Sequence, residues 1–119
     1  MMNQKSILII SNESELTKIL EENLAMYGYR VTSTDDSGEQ LRKLIELVLP
    51  DLVVIGMAVS CIEAIELTLR IRTWCQVPII VVKNWGTTTE LFDDSACSLM
   101  KPHNMPDLLL KIDTAFSKN

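Results

Sequence analysis

The run Leu52-Val53-Val54-Ile55 is four apolar β-formers in a row with no polar residue between them. A strand whose side chains are apolar on both faces must be covered on both faces, which is the signature of a central strand in a parallel sheet. Pro50-Asp51 leads into it and Gly56 closes it. Open α/β sheets assemble their ligand chemistry at the carboxyl ends of their strands. Here that end carries a glycine, so no side-chain chemistry can start from position 56.

The rest of the chain alternates in the way such a strand requires. Ile7-Leu8-Ile9-Ile10 is a first buried strand, followed by the cap-type residues Ser11-Asn12-Glu13-Ser14 and a helix with Leu16, Leu20, Leu24 and Tyr27 at helical spacing, ending at Gly28. Tyr29-Arg30-Val31-Thr32-Ser33 alternates as a half-exposed edge strand does. Asp35-Asp36-Ser37-Gly38 is a turn, and Leu41, Leu44, Ile45 and Val48 mark a second amphipathic helix closed by Pro50, which pushes the residue before it out of the α region. Between Cys61 and Trp74, Ile62, Ile65 and Leu69 form the stripe of a third helix, with Leu67 and Ile71 beside it. Ile79 to Val82 is another buried strand, Thr87 to Ser95 a weak fourth helix and Cys97-Ser98-Leu99-Met100 a short last strand. A fifth helix follows Asn104, with Leu108, Leu109, Ile112, Ala115 and Phe116 on one face and Leu110 turned out of it. Five strands alternating with five helices predict a single α/β domain over residues 4–118, its parallel sheet sandwiched between helical layers.

Composition narrows the function. A net charge of −5 with scattered basic residues offers no basic face for phosphates, so nucleic acid is excluded as a direct partner. No stretch near the N-terminus is apolar for long enough to make a signal-peptide core or a membrane span, and the expectation is a cytoplasmic protein with no membrane partner. Cys61, Cys75 and Cys97 contain no CxxC pair and leave one thiol over in any pairing, which fits reduced cysteines. His103 is the single histidine, so it cannot make a histidine-rich metal centre, nor a histidine-centred triad without partners that no motif names, and it reads as an exposed loop residue.

Several of these segments together resemble the receiver domain of response regulators in two-component signalling. Gly28-Tyr29-Arg30-Val31 is similar to that family's corner between first helix and second strand, and Pro50-Asp51-Leu52-Val53-Val54-Ile55 to its third strand. Ile65-Glu66-Leu67 with Ile71-Arg72, Val77-Pro78-Ile79-Ile80 and Lys101-Pro102 fall where the family has similar residues. The resemblance implies a flavodoxin-like sheet in the order 2-1-3-4-5. It also implies a pocket in which two acidic residues after the first strand help to hold a metal ion and an aspartate after the third strand accepts a phosphoryl group.

Matched residue by residue, the acidic pair falls on Ser11 and Asn12, the acceptor on Gly56 and the phosphoryl-contacting hydroxyl on Lys83. The switch aromatic falls on Ser98, and Lys101 alone keeps its family identity. The loop after the acceptor has Ser60 and Ala64 in place of the family's proline and glycine, and the segment from Lys83 to Lys101 is short by about one helical turn. Helix 4 is therefore expected to be short or irregular. Two lysines and no carboxylate give a magnesium ion no anionic oxygen to bind. Neither glycine nor asparagine is a phosphoryl-accepting nucleophile. Asp51 starts the third strand, at the opposite end from Gly56, and reads as a surface or capping residue. Lys83 or Lys101 is expected to fill the vacated pocket against Glu13, Asp35 or Asp36, with Trp85 as a cap over it.

These features predict a non-enzymatic, cofactor-free and metal-free receiver that binds proteins without phosphorylation. Its partners would be a kinase, an output protein or a second copy, met through the face of helix 4, strand 5 and helix 5, where Leu91, Phe92 and Leu110 are the candidate contacts. Two alternatives are a conventional phosphorelay receiver with a non-standard acceptor and a small-molecule or anion binder on a flavodoxin-like fold. Glu63 stands too far along the third helix to be the substitute acceptor. The loop Ser11-Asn12-Glu13-Ser14 lacks the glycine that lets backbone amides close on a phosphate.

Overall fold

Along each buried strand the side chains alternate between two apolar layers, and the helices are placed by that alternation. The computed structural model describes residues 4–36, 38–56, 61–82, 98–100 and 105–117. Its elements are β1 (Ser6–Ile10), α1 (Ser14–Met26), β2 (Arg30–Thr34), α2 (Glu39–Val48), β3 (Leu52–Gly56), α3 (Cys61–Arg72), β4 (Ile79–Val82), β5 (Ser98–Met100) and α4 (Met105–Ser117). The strands are parallel in the order β2-β1-β3-β4-β5. The helix expected from Thr87 to Ser95 lies outside the described residues, as do Leu91 and Phe92, so the helix read as fifth from sequence is α4.

Ile7, Ile9, Leu52, Val54, Ile80 and Val82 face Leu16, Leu20 and Leu24 of α1 and Leu108 and Ile112 of α4. Leu8, Ile10, Val53, Ile55, Ile79 and Val81 face Leu41 and Ile45 of α2 and Ala64, Leu67 and Ile71 of α3. Every residue of β3 is buried, as the unbroken apolar run requires. At about 25 cal/mol per Å² of apolar surface removed from water, these two layers supply the main drive for folding.

Several local expectations are corrected. The stripe of α3 is Ala64, Leu67, Thr68 and Ile71, while Leu69 is 52% exposed; an alanine and a threonine give the buried face a weaker hydrophobic signal than Leu69 gives the outer one. Tyr27 is 65% exposed and caps α1 rather than extending its stripe. The helix does end at Gly28, whose φ of +92° is a left-handed conformation suited to glycine. The N-cap of α1 is Glu13, without a side-chain cap bond, whereas the Ser11 hydroxyl accepts from Glu13 N–H at 3.2 Å. The second helix does stop before Pro50: it ends at Val48, and Leu49 leaves the right-handed helical region for the left-handed one, at φ 53°.

The amino-terminal edge of the sheet is tied at two places. Asp51 Oδ2 accepts from Ser6 N–H and Asp51 N–H donates to Ser6 C=O, both at 2.7 Å, so Asp51 fastens β3 to β1. Lys5 Nζ stands 5.5 Å above the Phe116 ring, which also pairs with Tyr29 at a centroid distance of 5.8 Å. Burial, and after it the Asp113 carboxylate, push the Tyr29 phenol above its ordinary value. The fold thus favours neutral tyrosine, a stabilisation complete below the unfolded pKa of about 10 and lost as pH rises through the higher folded value. Thermal melts from neutral to strongly alkaline pH should show a steeper loss in the parent than in Tyr29→Phe; parallel curves would remove Tyr29 from the account.

Candidate functional site: the carboxyl edge of the sheet

β1 delivers Ser11 to the carboxyl edge, and β3 and β4 deliver Gly56 and Val82 side by side. Ser11 is buried; its N–H donates to Thr34 C=O at 2.9 Å and its hydroxyl is held by the Glu13 backbone. Asn12 is exposed and lines an open groove with Ser14, Thr17, Lys18, Glu21 and Asp35. On the groove's inner side the Ser33 hydroxyl donates to Glu21 Oε2, bolting α1 to β2.

Gly56 is not a conformational necessity, because among the described glycines only Gly28 has a positive φ. A Cβ at position 56 would stand 3.0 Å from Leu16 Cδ2 and 3.6 Å from Leu20 Cδ1. The space is therefore closed by leucine methyl groups of α1, which can move by a few tenths of an ångström. These two leucines are the site neighbours that sequence reading did not connect to Gly56. Their helical spacing announced them only as core.

Lys83, Trp85 and Lys101 lie outside the described residues, and so does the expected lysine-filled pocket. Ser98 begins β5 opposite Ile80, two positions before the edge row of Gly56, Val82 and Met100. Glu13 and Asp35 are exposed at the same edge, and neither forms an ion pair with another described residue. No cluster of three metal-ligating side chains occurs among the described residues.

No protein-family model matches the chain. Curated relatives and solved structures do. The transcriptional regulatory protein AfsQ1 of Streptomyces coelicolor is 36% identical over 77 residues, 65% of this chain and 34% of that protein. The activated N-terminal receiver domain of Klebsiella pneumoniae RstA superposes with a TM-score of 0.74 at 14% identity, covering 96% of this chain and 100% of that one. The chain belongs to the receiver domains of response regulators. A receiver of this family acts in two-component signalling, and response regulator TrrA, solved in complex with the histidine kinase ThkA, shares the fold at a TM-score of 0.76 and 23% identity, over 96% of this chain and 100% of TrrA. This receiver spans about a third to a half of the length of the curated relatives it matches. No helix among the described residues is long and apolar enough to cross a membrane.

Proposed function

We propose that this receiver is a phosphorylation-independent, cytoplasmic protein-interaction module. The observation that carries the reading is Gly56: the end of the central strand has no side chain, and the space beyond its Cα is occupied by Leu16 and Leu20. A magnesium ion does not fit the residues at the matched positions. The Ser11 hydroxyl is already engaged by the backbone, Asn12 offers only a neutral amide, and Gly56 offers nothing. What remains for the domain is its surface.

The surface proposed for contact is the outer side of α4, where Leu110 is 62% exposed between the buried Leu108 and Ile112. Its partner would be a kinase, an output protein or a second copy, and the histidine kinase bound to TrrA supports the first of these. Incubation with a small-molecule phosphodonor and magnesium, followed by intact-mass measurement, tests the reading. The expected spectrum shows the unmodified mass alone; a stoichiometric, base-labile phosphoryl adduct would overturn it in favour of a non-standard acceptor.

A further inference from the structure

We propose that the free edge of β2 is a self-pairing strand that joins two copies of this domain into an antiparallel, two-fold dimer with a continuous sheet. Among the described residues β2 is the outermost strand and pairs with β1 alone. Its inner hydrogen bonds fix which groups are left over. Arg30 N–H donates to Lys5 C=O and Thr34 C=O accepts from Ser11 N–H, both at 2.9 Å, so residues 30, 32 and 34 turn their backbone polar groups toward β1. Alternation turns the N–H and C=O of Val31 and Ser33 outward.

Edge strands are ordinarily blunted by lysine, proline, a bulge or inward-facing charge. β2 reads Arg-Val-Thr-Ser-Thr, has no proline or lysine, and keeps an unbroken five-residue register with β1. Its side chains are half-buried except for the exposed Arg30. An outward row of donors and acceptors calls for an extended strand, and the charges flanking β2 say which one. When two copies pair antiparallel about Thr32, Val31 meets the partner's Ser33 and the two residues exchange both backbone bonds. Arg30 then lies opposite the partner's Thr34, beside the partner's Asp35 and Asp36. The same contacts recur on the other side of the axis, as a two-fold interface requires. Arg30 and Asp35 form no salt bridge with another described residue, and this pairing sets them against each other. An unrelated acidic or neutral peptide would match only one end of the strand.

Thr32 sits on the axis in a non-hydrogen-bonded pair, where opposing Cα atoms are about 4.5 Å apart and two cysteines can bridge. Sedimentation and light scattering should find the parent dimeric. Thr32→Lys, which sets two ammonium groups against each other, should be monomeric at the same concentration with its melting temperature little changed. Arg30→Asp should weaken the dimer severalfold, and Thr32→Cys should form an intermolecular disulfide under mild oxidation at a rate the parent cysteines do not approach. A parent that stays monomeric to millimolar concentration overturns the proposal, as does a dimer in which Thr32→Cys fails to cross-link. A dimer dissociated by Leu110→Lys and not by Thr32→Lys overturns it too, while supporting the α4 face instead.

Discussion

Ile112→Ala should lower the unfolding free energy by about 3 kcal/mol, on the order of 10 °C in melting temperature, while Leu110→Lys two residues away should leave the melt nearly unchanged. The contrast follows from one helix turn. Ile112 is fully buried against the layer of Ile7, Ile9 and Ile80, and truncating it leaves both lost transfer energy and a cavity. Leu110 points into solvent, where a lysine is as well placed as a leucine. If the α4 face is the docking surface, Leu110→Lys will abolish partner capture without touching the fold. A strong drop in melting temperature for Leu110→Lys would mean that the register of α4 is wrong.

Gly56→Asp alone should yield no phosphoryl adduct, and the triple change Ser11→Asp, Asn12→Asp and Gly56→Asp should recover magnesium binding. The backbone at Gly56 accepts an L-residue, and the 3.0 Å approach of Leu16 Cδ2 is relieved by a small turn of the leucine side chain about χ2. Aspartate at 56 is thus tolerated, but one carboxylate, with only a hydroxyl at position 11 and a neutral amide at position 12, does not supply the hard oxygen set that magnesium demands. Titration calorimetry with magnesium on the single and triple variants, beside intact-mass measurement with a phosphodonor, separates the two requirements. Phosphorylation of the single variant would show that the first-strand acids are dispensable here.

The sheet was legible because strand burial leaves a dense signal: Leu52 to Ile55 and Ile7 to Ile10 carry no polar residue, and both are fully covered. The third helix was misread where that density failed. Ala64 and Thr68 form part of its buried face, yet neither weighs as much in a hydrophobic pattern as the exposed Leu69. The position of Gly56 at the carboxyl edge followed from the strand alone. Its contact with Leu16, forty residues earlier, is a tertiary fact that no local pattern encodes. Asp51 illustrates the reverse case: its place five residues before Gly56 marked it as lying at the other end of the strand, and its bonds to Ser6 are those of a residue fastening two strand starts.

The clamp of Lys5 over Phe116 also determines where anything attached to this domain can go. With the ammonium 5.5 Å from that ring, the beginning of β1 and the last turn of α4 lie against each other, at the edge opposite Gly56. Joining them by a short flexible linker and opening the chain elsewhere would give a circular permutant with the same core, since domains tolerate such rearrangement when their ends meet at the surface. By the same geometry, a domain fused just before β1 or just after α4 starts from the base of the sheet, at the end away from Gly56.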